Sequence, residues 1–351
     1  KASFMVAGRR SYADIFLRLS GNENLRDNIL YFYDLNGKVN YNINEKNRLF
    51  LSGYRGKDVF RAGIFGMKWG NTTGTLRWNH VFHEKLFSNF TFVASRFSYD
   101  LGIPEGNERA FNWGSSLTDY NLKSDFNWYY NSNNTFTFGI SALHHTFFPG
   151  VIEGFGEDSF ITRYALPNNY TLESAIYLSN EQKIGSVLVL KYGLRVSMFN
   201  NIGPSTIFKF NDEGNAYDST THGNGDFFNT YTGFEPRLGI VFILNESSSI
   251  KASYSKNIQY LQQAQNSAAG SPLNIWFPSS PNIKPQIGNQ FAMGYFRNFD
   301  NGKIETSAEA YYKITTNAVD FVDHADLLLN KYLEGEVLPG KGWGYGIEFM
   351  V

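Results

Sequence analysis

Apolar and polar residues alternate along this chain over unusually long stretches, and the clearest runs from residue 229 to residue 265. From Thr232 to Leu244 the even positions hold Phe234, Pro236, Leu238, Ile240, Phe242 and Leu244, while the odd ones hold Gly233, Glu235, Arg237, Gly239 and Val241. After a polar turn at 245–249 the chain returns with Ile250, Ala252, Tyr254, Ile258 and Tyr260 on one side and Lys251, Ser253, Ser255, Asn257 and Gln259 on the other. Lys256 departs from the pattern and is expected near a rim. Side chains alternate across a strand with period two, so each arm has one apolar and one polar face. Each arm exceeds ten residues, whereas soluble strands usually have about five or six. A tilted strand needs about 9–11 residues to cross a bilayer, so the hairpin is sized for a membrane.

The same scheme predicts about fourteen strands over the chain. Residues 1–8 already alternate, 9–26 form a polar excursion with a helical turn around Ile15, Phe16 and Leu17, and 28–43 resume the strand pattern. Short turns are expected near 44–47, 83–85, 131–134, 180–183, 245–249 and 300–302, and longer connections near 57–65, 102–114, 149–163, 200–228, 266–285 and 320–341. A strict alternation of short and long connections follows from this reading, as in outer-membrane barrels with tight periplasmic turns and large external loops. Leu188, Leu190, Tyr192, Leu194 and Val196 oppose Lys191, Gly193, Arg195 and Ser197, and Ile304, Thr306, Ala308, Ala310, Tyr312 and Ile314 oppose Lys303, Glu305, Ser307, Glu309, Tyr311 and Lys313. The charged sides are expected to face inward. A soluble β-sandwich would also alternate, but with shorter strands and without the connection rhythm. The last strand is expected to begin near Gly342 and stops at Val351 in mid-pattern, so both chain ends are expected to be cut.

Composition sharpens this picture. Among 351 residues there are 22 Tyr, 32 Phe, 6 Trp and 33 Gly, and the mean hydropathy is -0.33. Aromatic girdles around a polar interior give this combination. No run approaches the length of an apolar transmembrane helix, and no secretion signal is visible at the start. The chain has no cysteine, which removes disulfides and thiolate metal sites. The net charge of -1, without basic blocks, argues against nucleic acid as a partner.

Several segments resemble the β-barrel domain of TonB-dependent outer-membrane receptors of the kind abundant in Bacteroidota. They include residues 8–14 (GRRSYAD), 32–38 (FYDLNGK), 71–80, and Phe234-Glu235-Pro236-Arg237-Leu238 together with 250–255 (IKASYS) and 257–260 (NIQY). Residues 275–280 (IWFPSS) to 284–286, 309–313 (EAYYK) and 344–348 (GYGIE) add to the set. The resemblance implies a transmembrane antiparallel up-and-down barrel of which about fourteen strands are visible, the family's barrel having 22 strands around a plug. Residues 1–351 would then be a partial barrel without the plug and the C-terminal strands. It further implies an outer-membrane receptor that takes up a large or scarce ligand, partnered by membrane lipid, by the TonB energy-coupling complex through the plug, and by an external ligand such as a surface lipoprotein. A passive porin or adhesin-like barrel is the alternative, and a secreted glycan-binding β-protein a third.

Catalytic and metal chemistry find little footing. His144 and His145 are adjacent on a predicted strand and point to opposite faces, so they cannot chelate one metal together. Asp320, Asp323, His324 and Asp326 would align only if their segment were helical, and Asp212, Glu213, Asp218 and Asp226 lack EF-hand spacing. No nucleophile elbow or phosphate-binding glycine loop appears, so neither an enzyme nor a cofactor is expected. The recognition candidates are Asn274, Trp276 and Phe277, because prolines at 272 and 278 would stiffen the backbone that presents the aromatic surface. Lys191, Arg195, Glu235, Arg237, Glu305, Glu309 and Lys313 are candidates to line the lumen, facing a plug or pairing across adjacent strands.

Overall fold

The computed structural model describes residues 1–103, 110–155, 161–264, 275–327 and 329–351. Its strands are β1 (Ala2–Arg10), β2 (Ile29–Asn44), β3 (Asn47–Ala62), β4 (Phe65–His83), β5 (Leu86–Ile103), β6 (Phe111–Asn131), β7 (Asn134–Gly154), β8 (Tyr164–Ala165), β9 (Asn169–Ile184) and β10 (Leu188–Ile202). They continue with β11 (Ser205–Phe210), β12 (Ala216–His222), β13 (Phe227–Asn245), β14 (Ser248–Gln259), β15 (Leu261–Ala264), β16 (Ile275–Pro278), β17 (Gln286–Phe299), β18 (Ile304–Phe321) and β19 (Val337–Met350). Fourteen of them form one antiparallel meander, β1 through β7, then β9, β10, β13, β14, β17, β18 and β19, in which each strand pairs with the next. β8 pairs with β7, while β11 with β12 and β15 with β16 form two hairpins outside the main sheet. The expected helical turn is present as α1 (Ala13–Arg18), followed by the single turn α2 (Glu23–Arg26).

One end of the sheet is closed by tight turns that reuse a single device. Asn44, Asn131 and Asn245 each accept, through Oδ1, the backbone N–H two residues ahead, at 3.0, 2.9 and 3.0 Å. This side-chain mimic of a backbone turn explains why asparagine recurs there. Two expected turns need correction. Residues 180–183 lie within β9, paired with β10, and the reversal falls at 185–187, where Gly185 supplies a φ of +61°. Residues 57–65 form no long connection either, because β3 and β4 run to Ala62 and from Phe65 and are joined by Gly63 (φ +57°) and Ile64. Strict alternation of short and long connections therefore fails at this point. The last strand starts at Val337, five residues before the expected Gly342.

Register carries the two-faced pattern from strand to strand. Leu76 pairs with Phe92, Phe92 with Leu122, Ile140 with Ile176, Ile176 with Val196 and Val196 with Phe234, so one face is continuously apolar. Its members stand exposed, Ile176 at 61% and Phe234 at 57%, as expected where the solvent is lipid. The opposite face carries Asp34, Lys123, Asp125, Glu181, Arg195 and Glu235. Its main buried apolar cluster lies at the long-loop end, where Tyr99 and Leu101 of β5 and Trp113 of β6 meet Phe277, Ile283 and Leu327 from two connections. Gly150 permits this packing: its φ is +147°, and a Cβ there would lie 2.2 Å from the Trp113 Nε1.

Candidate functional site

The polar face is held by cross-strand ion pairs centred on β9, β10 and β13. Lys191 sits opposite Glu181 and reaches it at 2.8 Å. Arg195 sits between Tyr177 and Glu235, with its Nη2 3.0 Å from Glu173 and its Nε 3.4 Å from Glu235. The buried Glu235 also accepts a hydrogen bond from Ser197 Oγ at 2.9 Å, and Ser197 is bonded to the Tyr260 hydroxyl at 2.8 Å. Arg237 donates to Asn257 at 3.1 Å. Glu173, Glu181, Lys191, Arg195, Glu235 and Arg237 border a concavity of about 820 Å³ between β6 and β14.

Glu305, Glu309 and Lys313 lie on the same face further along the sheet, opposite Asn298, Gly294 and Gln290. They are not drawn into the network. Glu309 accepts a long hydrogen bond from Ser307, at 3.3 Å, and Glu305 borders a separate hollow beside Lys251.

The network makes unequal demands on its members. Lys191 and Glu181 are both largely exposed, so Lys191→Leu is expected to change stability by less than about 1 kcal/mol. Arg195→Leu would leave Glu173 and Glu235 facing each other without a cation. The expected loss is roughly 2–3 kcal/mol, below the about 3–5 kcal/mol of a fully buried pair because this face is wet. Urea unfolding of the vesicle-inserted protein measures both.

A second cavity, of about 280 Å³, lies at the long-loop end. Its walls are aromatic: Tyr170 of β9, Phe208 and Phe210 of β11, Phe228 of β13, and Trp276 and Phe277 of β16. Glu334, Lys331 and Asn330 bring polar groups from the connection between β18 and β19. Three contacts fasten the loop after β16 to the strand wall and to that connection. Asn201 donates to the Ser279 carbonyl at 2.8 Å, the Tyr231 hydroxyl to the Ser280 carbonyl at 2.7 Å, and Asn282 Nδ2 to Glu334 Oε2 at 2.6 Å. Burial is the largest influence on the Glu334 carboxyl and pushes it above the usual range, against the hydrogen bonds from Asn282 and Ser280. A raised folded value means that burying the neutral Glu334 carboxyl stabilises the folded loop most below the ordinary carboxyl range, and that this contribution is lost as pH climbs through the raised value. Amide exchange at 280–283, corrected for intrinsic rates, is therefore expected to quicken with rising pH in the wild type and to lose that dependence in Glu334→Gln.

The recognition candidates separate here. Trp276 is half-buried and lines the cavity, but Phe277 is only 6% exposed and packs into the Tyr99–Trp113 cluster, so it anchors the loop as well as lining the cavity. Its ring is hidden because the loop folds over the polar face instead of standing free. Asn274 lies outside the described residues. Phe208, Phe210 and Glu334 line the same cavity without any sequence signal that separates them from ordinary loop residues. Among the described residues no three His, Asp or Glu side chains gather as metal ligands would. Asp323 and His324 sit in a non-helical turn with His324 at φ +62°, while Asp218 pairs with Lys209 at 2.7 Å and Asp226 accepts the Gly223 N–H at 2.6 Å. His145 bonds Asp119 at 2.7 Å on the polar face, and His144 lies on the other face beside Tyr170.

Known proteins share this architecture. The family profile described as TonB dependent receptor-like, beta-barrel matches residues 9–350. The ferric-catecholate import receptor Fiu from E. coli K12 superposes with a TM-score of 0.63 at 13% identity, over 99% of this chain and 58% of that one. FpvA of P. aeruginosa, bound to heterologous pyoverdines, gives 0.63 at 13% identity over 92% and 47%. The hemophore receptor HasR of Serratia marcescens, in complex with HasA and heme, gives 0.62 at 11% identity over 94% and 54%. The chain thus spans about half the length of these structures. No curated protein sequence matches it. With the profile satisfied over nearly its full length and the strand meander in place, this chain belongs to the TonB dependent receptor-like β-barrel family, a family of Gram-negative outer-membrane proteins.

Proposed function

We propose that this chain forms part of the wall and the outer recognition surface of an outer-membrane receptor that takes up a large or scarce ligand by energy-coupled opening of a plugged barrel. The observation that carries this reading is the mouth cavity, where two separate connections and the β11–β12 hairpin fold together at the long-loop end. A passive pore has no need of a cavity walled by aromatic rings at its entrance. The volume is near the lower end of ligand pockets, and a few convergent polar groups among apolar walls suit an organic ligand that offers a ring or apolar face. Two of the structures named above carry pyoverdines or a heme-bearing hemophore, and a ligand presented by a surface lipoprotein fits the same outward position.

The fourteen-strand sheet is, in this reading, part of a larger barrel: β1 and β19 are its unpaired edges, and a barrel in lipid has no free edges. The polar groups of β9, β10 and β13 would face a plug, which would receive the pull of the TonB complex. In this reading the receptor is of the Bacteroidota type, which the resembling sequence segments support.

Two measurements test the proposal. Planar-bilayer recordings of the intact protein are expected to show no steady conductance, and a persistent open channel would favour the passive porin instead. Trp276→Ala is expected to weaken capture of the transported ligand by about tenfold or more, since a central aromatic contact is commonly worth about 2 kcal/mol or more. Unchanged uptake at limiting ligand would remove the mouth cavity from the account.

A further inference from the structure

The apolar face of β3, β4 and β5 changes character abruptly. Leu51, Leu76 and Phe92 form one row, Gly53, Gly74 and Ala94 the next, and beyond them on the same side stand Arg55, Thr72 and Arg96. One row further are Lys57, Gly70 and Ser98, and then Lys68 beside Asp100. No register shift intervenes in these segments, so the period-two rule keeps all of these residues on the outward face. Arg55 is four residues beyond Leu51, about 13 Å along the strand, and lies toward the end that carries the long connections.

Four cations and one carboxylate therefore border an outward hollow of about 100 Å³ just above the apolar band. Within the described residues none of Arg55, Lys57, Lys68 and Arg96 makes a side-chain hydrogen bond or ion pair. On the polar face, by contrast, Lys123, Lys191 and Arg195 all have carboxylate partners. The floor of the hollow is bare backbone at Gly70, where an added Cβ would lie 2.4 Å from the Gly56 carbonyl oxygen, so no side chain can fill it.

We propose that this hollow binds the phosphate of an outer-leaflet glycolipid headgroup. A free anion from solution would have no reason to be met on the face that continues into acyl chains, whereas a lipid phosphate arrives at this height with its chains along Leu51, Leu76 and Phe92. Arginine forks and lysine ammonium groups suit phosphate oxygens, and small residues beneath them let the headgroup approach. The inference rests on the membrane-spanning reading of the sheet.

The test uses the full-length protein extracted from outer membranes into neutral detergent. Its binding is compared for three probes: a bis-phosphorylated glucosamine-disaccharide lipid, the same lipid without phosphates, and inorganic phosphate. The wild type is expected to prefer the phosphorylated lipid at least about tenfold, and the combined Arg55→Gln, Lys57→Gln, Lys68→Gln, Arg96→Gln variant to lose that preference. Should the fourfold variant not insert, Lys57→Gln with Lys68→Gln carries the test with a partial loss. Heat-modifiable gel migration reports insertion separately, so a failed membrane reading is distinguishable from a failed lipid site. Equal binding of the two lipids, or an undiminished preference in an inserted variant, would overturn the proposal. Full competition by millimolar phosphate would make this a free-anion site and overturn it equally.

Discussion

Replacing Ile176 by arginine is expected to destabilise the inserted protein by about 2–4 kcal/mol, the cost of a guanidinium near the bilayer midplane of a barrel. Ile176 is 61% exposed, so in a water-soluble protein the same change would fall within about 0.5 kcal/mol. Its position sets the magnitude. On the apolar face of β9, Leu172 pairs with His144 toward the long loops, and Asn180 donates to the Tyr192 hydroxyl at 3.1 Å toward the tight turns. Eight residues separate those polar markers, roughly 26 Å of strand, and Ile176 is halfway between them. The matched control is Ser253→Arg, exposed on the polar face, for which a change within about 0.5 kcal/mol is expected. Urea titration of folding into vesicles reads both, and equal effects would mean that the two faces see the same solvent.

Phe277→Ala is expected to have the second large effect, confined to the mouth. Truncating a buried phenylalanine costs about 3–5 kcal/mol, and here the ring joins a connection to Tyr99, Leu101 and Trp113 of the strand wall. The hydrogen bonds at Ser279, Ser280 and Asn282 are each worth about 1 kcal/mol net and would not hold the loop without the ring. Local opening should therefore precede any loss of the sheet. Protease added to intact cells is expected to cut within 275–285 in the variant while the strands stay protected, and ligand capture should fall further than in Trp276→Ala. An equally resistant loop in both proteins would mean that Phe277 is not its anchor.

The sheet was legible because each strand of a barrel wall carries its own period-two signal and needs no knowledge of its partner. Lys191, Arg195, Glu235 and Arg237 could thus be placed on one face from sequence, and register then made Arg195 and Glu235 direct neighbours. Misreadings arose where chemistry and geometry part. Asn180 to Lys183 has turn composition but lies before the glycine that can adopt positive φ, and residues 57–65 look polar enough for a loop yet stay in the ladder beyond the apolar band. The outward Arg55, Lys57, Lys68 and Arg96 were missed for a related reason: the rule that charges face inward holds only at membrane depth. The mouth was least legible, since Phe277, Glu334 and Phe208 meet through contacts between connections far apart in sequence, and no local pattern records them.

The most direct test of the two-faced sheet is a cysteine scan of residues 237–242, which the absence of native cysteine allows. Single cysteines carrying a polarity-sensitive fluorophore are placed in the full-length protein in outer-membrane vesicles and quenched from the lipid phase. The account predicts strong lipid-phase quenching at 238, 240 and 242 and little at 237, 239 and 241. Uniform weak quenching across all six positions, with 237 and 239 freely labelled from bulk water, would contradict it.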